Sequence, residues 1–136
     1  MKKINNILII GGDTRQHYIA EFLNKYRFNI YMYGVNDNTK SIEYNLKKAM
    51  EIADVVIFPL PVSKDGKHIT SSVQIKESLD EIINMINDDC IVFAGMISRS
   101  IESKLIKKKI MYYDYFKRED LTIKNTIPTV QGIIKQ

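Results

Sequence analysis

Apolar positions along this chain alternate between two rhythms. Residues 4–10 form a short, largely apolar run that stops at Gly11-Gly12, the pattern of a buried strand. Between residues 14 and 26, Tyr18, Ile19, Phe22, Leu23 and Tyr26 share one helical face. Asp13 and Gln16 stand three apart at its start, the spacing of a capping box. Residues 28–33 are rich in aromatic and branched side chains and predict a second strand, closed by Gly34 and the Asn36-Asp37-Asn38 turn. Ile42, Leu46, Ala49 and Met50 give the next helical stripe. Residues 54–60, centred on Val55-Val56-Ile57-Phe58, predict a third buried strand. Pro59 and Pro61 end it, because proline has no N–H for the ladder.

The polar stretch 63–72 carries Asp65-Gly66 and suits a small hairpin. Ser71 and Gln74 are spaced to cap a third helix with the stripe Ile75, Leu79, Ile82, Ile83 and Ile86. Residues 90–94 predict a fourth strand and residues 110–113 a short fifth. Between them Ile101, Leu105 and Ile106 mark a fourth helix. Regular strand–helix alternation predicts an α/β fold: a three-layer, doubly wound parallel sheet, flavodoxin-like or Rossmann-like. About five strands in the order 2-1-3-4-5, joined by right-handed crossovers, fit it best. Ligands of such sheets bind beyond the carboxyl ends of the strands. Those ends are residues 11–15, 34–38, 59–67, 95–99 and 114–120.

Composition narrows this little. At 136 residues, 45% hydrophobic and 26% charged, the chain has the size and balance of one folded domain. No stretch approaches the roughly 20 apolar residues of a membrane span. The apolar run behind Met1-Lys2-Lys3 is short and lacks a small-residue cleavage site, so no signal peptide is read. The single cysteine, Cys90, reads as a small buried hydrophobe, and no Cys/His cluster suggests a metal site. The expected location is the cytoplasm, with no membrane partner. A net charge of +4 is too mild for a nucleic-acid binder. The cluster Lys104, Lys107, Lys108 and Lys109 reads as the solvated end of a helix, where cations complement the dipole.

The strand–glycine–helix opening invites a dinucleotide-binding reading, which the residues oppose. In Gly11-Gly12-Asp13-Thr14-Arg15-Gln16 the second required glycine is Asp13 and the third is Gln16. A carboxylate at Asp13 would repel a pyrophosphate. Asp37, at the distance of a ribose-binding acid, sits in an ordinary Asn-rich turn. No cofactor is expected in this chain. Arg15, beside the free amides of the first helix, suits an anion site, or else a surface pair with Asp13. His17 and His68 are read as surface residues, too far apart for a metal. Ser63 and Ser98 sit at strand ends without a nucleophile elbow, so they bind a ligand or cap helices. Further on, Thr126 and Pro128 open a helix whose stripe begins Val130, Ile133 and Ile134.

Two segments carry a family resemblance. The run Gly11-Gly12-Asp13-Thr14-Arg15-Gln16 resembles the opening of the dipicolinate synthase A subunit. Arg118-Glu119-Asp120, followed by Asn125-Thr126-Ile127-Pro128-Thr129 and Gly132, is similar to a later stretch of that family. Leu60-Pro61-Val62-Ser63 and Phe93-Ala94-Gly95 also resemble its segments, in order along the chain. The resemblance implies a sporulation protein of endospore-forming bacteria, located in the mother-cell cytoplasm. Partnered with the dipicolinate synthase B subunit, it would oxidise a dihydrodipicolinate-type precursor to dipicolinate, using NADP. It implies a fold like the substrate-side domain of formate and glycerate dehydrogenases over residues 1–124. Residues 125–136 would then begin a helix leading to a second domain that holds the NADP, and the isolated chain would be inactive.

A dicarboxylate substrate calls for guanidinium and hydroxyl donors. Arg15, Gln16, Ser63, Ser98 and Thr126 are the candidate substrate-binding residues at the sheet edge. Glu119 or Asp120 would accept the proton lost on oxidation, or else pair with Lys117 and Arg118. The sequence leaves a homo-oligomer open. The rival reading is a standalone flavodoxin-like interaction or signalling module without catalysis. Against a receiver domain stands Pro59-Leu60-Pro61, which lacks a phosphoacceptor aspartate.

Overall fold

The computed structural model describes residues 3–35 and 46–114. Its centre is β1 (Asn6–Ile10), whose Ile7, Leu8, Ile9 and Ile10 expose no surface at all. A strand so apolar on both faces is stable only between two helical layers. β2 (Asn29–Tyr33) lies parallel to it on one side, Asn6 opposite Asn29 and Ile10 opposite Tyr33. On the other side runs β3 (Val55–Ile57), with Ile7 opposite Val55. β4 (Ile91–Ala94) and β5 (Met111–Asp114) extend the sheet outward, giving the order β2-β1-β3-β4-β5. This is the order predicted from the alternation.

The pleat divides the core in two. Leu8 and Ile10 face a layer built by α2 (Leu46–Ile52), α3 (Leu79–Met85) and α4 (Arg99–Lys107). Ala49, Met50, Leu79, Ile82, Ile83, Ile101 and Leu105 close that side. Ile7 and Ile9 face the opposite layer, where α1 (Arg15–Asn24) contributes Leu23, Ile19 and Phe22. Each such side chain removed from water stabilises the fold by roughly 1.5–3 kcal/mol.

Several local expectations are corrected. The third helix is capped by Ser78, not Ser71. Ser78 Oγ accepts from the Glu81 amide at 3.2 Å and Glu81 Oε1 accepts from the Ser78 amide at 2.8 Å, a complete capping box. Ser71 instead donates to the Gly34 carbonyl at 2.6 Å. Residues 63–72 do not form a hairpin; the chain returns across the sheet edge and pairs Ser71 with Gly12 in a parallel bridge. The Asp13–Gln16 capping box is not made either, because Gln16 folds inward, 4% exposed, and donates to the Ile10 carbonyl. Asp13 still serves the helix start by accepting from the Arg15 amide at 2.9 Å.

The lysine cluster is more structural than its charge suggests. Lys104 pairs with Asp80. Lys108 reaches across to α3 and donates to the carbonyls of Ile83, Asn84 and Ile86, each at 2.9 Å. One ammonium thereby satisfies three carbonyl groups at the negative end of a neighbouring helix. Among the described residues no helix is long and apolar enough to cross a membrane.

Candidate functional site

The turn from β1 into α1 lies where the strand order switches direction, between β2 on one side and β3 on the other. Its glycines are filled by the protein's own chain. The Gly11 amide donates to the Tyr33 carbonyl at 2.9 Å. The Gly12 amide donates to the Thr70 carbonyl at 2.7 Å, and the Gly12 carbonyl accepts from Ser72 at 2.9 Å. Residues 69–72 thus strap the end of β1, themselves tied back by Thr70 N–H to the Val62 carbonyl at 2.9 Å. A Cβ on Gly11 would lie 2.6 Å from Ile69 Cγ2 and 2.7 Å from the Thr70 carbonyl oxygen. On Gly12 it would lie 2.7 Å from Gln16 Cγ.

Beside the strap opens a cleft of about 160 Å³, lined by Gly12, Asp13, Arg15, Gln16, Ile19, Pro59 and Leu60. The surface that these residues present to the cleft is almost wholly apolar, with the Pro59-Leu60 corner after β3 forming one wall. Arg15 stands at its rim, its side chain 68% exposed. Asp13 Oδ1 accepts from Arg15 Nε at 2.9 Å, and Oδ2 from the same nitrogen at 3.2 Å. These bonds from the Arg15 side chain, helped by the Arg15 amide, hold the Asp13 carboxyl below the usual carboxylate range. Gln16, almost wholly buried, also lines it, with its carboxamide donating to the Ile10 carbonyl at 3.4 Å.

The other candidates are placed differently. Ser63 Oγ donates to Asp65 Oδ1 at 3.2 Å and accepts from the Gly66 amide at 2.8 Å, within the exposed 63–68 loop. His68 Nδ1 lies 2.9 Å from Asp65 Oδ2, and this contact with the amides of Lys67 and His68 keeps the Asp65 carboxyl strongly acidic. Ser98 caps α4, accepting from the Ile101 amide at 3.2 Å. Neither serine is among the cleft-lining residues. His17 lies on α1, and Cys90 is buried. Glu119, Asp120, Thr126 and Asp37 lie outside the described residues. Among the described residues no group of three or more His, Cys, Asp or Glu could hold a metal.

Sequence reasoning missed the walls, Ile19, Pro59 and Leu60, although the strand-end rule pointed to the segment that carries two of them. It also missed two polar anchors of the same sheet edge. Tyr33 donates to Glu77 Oε1 at 2.7 Å, and burial together with that carboxylate pushes its hydroxyl up to about 12. Asp114, 7% exposed at the end of β5, accepts from the amides of Met96 at 3.1 Å and Ile97 at 2.8 Å.

Comparison with known proteins adds a family to this geometry. A family model described as the N-terminal domain of the dipicolinate synthase A subunit matches residues 6–116. The dipicolinate synthase A subunit of Bacillus subtilis (strain 168) is 27% identical, across 94% of this chain and 46% of that protein. The crystal structure of the same subunit from Bacillus subtilis matches at a TM-score of 0.71 and 25% identity, covering 99% of this chain and 48% of that one. The A subunit from Bacillus halodurans shares the fold at a TM-score of 0.68 and 23% identity, over 94% of this chain and 46% of that one. The chain therefore spans about half the length of the relatives it matches. With all five strands inside the matched residues and the sheet order in place, the chain belongs to the family of dipicolinate synthase A-subunit N-terminal domains.

Proposed function

We propose that this chain is the substrate-side part of an oxidoreductase which, with the dipicolinate synthase B subunit, converts a dihydrodipicolinate-type precursor to dipicolinate during sporulation, with NADP as oxidant. The observation that carries the reading is the cleft at the switch point. It sets Arg15 at the rim of an almost wholly apolar pocket that includes Ile19, Pro59 and Leu60. Its volume of about 160 Å³ suits one six-membered ring, since a cavity of roughly 150 Å³ takes benzene. A pyridine-type dicarboxylate combines such a ring with anionic ends that a guanidinium binds well. Ser63, Ser98, Thr126, Glu119 and Asp120 remain proposed contributors, the last two as proton acceptors.

NADP does not fit the β1–α1 turn. The Gly12 amide is bonded to Thr70, the strap fills the approach, and Asp13 opposes a pyrophosphate. The dinucleotide in this reading belongs to the length of the relatives that this chain does not cover.

Calorimetric titration of the chain with dipicolinate tests the reading. Arg15→Ala is expected to weaken binding about tenfold, the scale of a lost charge-assisted bond. Unchanged affinity would reject Arg15 as the anchor. Millimolar NADP is expected to leave the thermal midpoint where it is. A ligand at 100 times its Kd adds roughly 2.7 kcal/mol of stability, so a binding site in the turn would be visible as a rise. Such a rise would overturn the placement of the cofactor.

A further inference from the structure

The loop that follows the cleft wall holds an imidazole in a defined state. We propose that His68 is a proton acceptor at the carboxyl edge of the sheet and that Asp65 is its positioning residue. The proposal rests on the reading of this edge as the substrate side of an oxidoreductase.

The Thr70 amide donates to the Val62 carbonyl at 2.9 Å, so residues 63–69 loop out beyond the end of β3, just past the Leu60 that walls the cleft. Ligands of parallel sheets bind at such strand ends. Within the loop, Asp65 Oδ1 accepts from Ser63 Oγ at 3.2 Å and from the amides of Lys67 and His68 at 2.8 Å each. Those bonds fix the carboxylate, and its Oδ2 faces His68 Nδ1 at 2.9 Å. The Asp65 carboxyl is strongly acidic, and an ionised carboxylate only accepts. Nδ1 must therefore carry the hydrogen. In the neutral ring Nε2 is then a bare lone pair. It has no partner among the described residues, and the His68 side chain is 62% exposed. An ion pair this exposed adds little to stability. What Asp65 supplies is the tautomer and the ring's orientation, the part an aspartate plays beside the histidine of hydrolase triads.

Aromatising a dihydropyridine-type ring removes one hydride and one proton. The hydride takes its bonding pair to the nicotinamide of NADP, which is reduced. The proton leaves its own pair in the ring, which is oxidised, and forms a new N–H bond at His68 Nε2. Asp65, across the ring, stabilises the imidazolium that results. An exposed ring then returns the proton to water before the next turnover. Histidine suits this exchange because its ordinary pKa, near 6.5, lies close to neutral pH.

Long-range proton–nitrogen NMR of the 136-residue chain reads the tautomer directly. The neutral His68 ring is expected to carry its hydrogen on Nδ1. Asp65→Asn keeps an oxygen for the Lys67 and His68 amides but loses the charge. The ratio of the Nδ1–H to the Nε2–H form is expected to fall about threefold or more in that variant. A wild-type ring with its hydrogen on Nε2 would overturn the proposal, since no lone pair would be free. Dipicolinate, the product in this reading, is then titrated into the chain. The His68 Nε2 signal is expected to move and to saturate at the concentrations at which calorimetry shows binding. In the complete oxidoreductase His68→Gln is expected to lower kcat about a hundredfold with little change in KM. A His68 signal that stays put while calorimetry reports binding, or an unchanged kcat in His68→Gln, would overturn the role of His68 and leave the cleft reading intact. Dipicolinate that does not bind the chain at all would remove that reading and this proposal with it.

Discussion

Gly11→Ala is expected to destabilise the chain by about 3 kcal/mol and lower its thermal midpoint by roughly 10 °C. The cost has two parts. Gly11 has φ +67°, where a side chain costs about 1 kcal/mol. The new methyl would also meet Ile69 Cγ2 at 2.6 Å and the Thr70 carbonyl oxygen at 2.7 Å. Ile69 can turn aside, but Thr70 cannot, because its carbonyl and amide are bonded to Gly12 and Val62. Overpacking against fixed atoms costs roughly 1–3 kcal/mol. Gly66→Ala isolates the first part. Gly66 has φ +78° with nothing within 4 Å of its missing Cβ, so only about 1 kcal/mol is expected there. Equal losses in the two variants, measured by denaturant unfolding, would show that the strap yields and that its contact with Gly11 contributes nothing.

Asp114→Ala is the second large effect, about 2–3 kcal/mol. Its carboxylate is the acceptor for the Ile97 amide at 2.8 Å, and Ile97 is buried. Removing it strands that donor away from water, which is where most of the cost lies. The Met96 amide loses its partner too, but Met96 is half exposed and water can replace it. Met96 also sits at φ +56°, unusual for a side chain of its size. Asp114→Asn keeps one acceptor and should lose about half as much. Met96→Gly should recover part of the Asp114→Ala loss by relieving that backbone. A Met96→Gly substitution that leaves the double variant no more stable would show that the Met96 backbone stores no strain.

The sheet was legible because its strands are short apolar runs with turn residues after each. Ile7 to Ile10 can be nothing but central, and the order followed from the alternation. The helix starts were harder, because the same spacing occurs twice. Ser71 with Gln74 and Ser78 with Glu81 both match a capping box, and Ile75 continues the stripe. Tertiary contact decided it, when Gly34 took the Ser71 hydroxyl. Of the cleft-lining residues, Arg15 was singled out from its place after β1 and Gln16 from the family resemblance. The strap was not, since Gly12 meets Ser71 through backbone atoms that carry no residue signature. Asp114 was hidden for a related reason: its partners are amides on a loop that lies beside it only once β4 and β5 have paired.

The strand order has a consequence for the chain as it leaves the ribosome. β1 and β2 can pair as soon as the first helix has crossed over. After that β3 joins β1, β4 joins β3 and β5 joins β4, each at the same growing edge. None of these five strands has to insert between two that are already bonded. Synthesis from the N-terminus and assembly of the sheet can therefore proceed in the same direction. The strap over Gly12 arrives only after three strands are laid down, so the sheet edge takes its final shape on a scaffold that already exists.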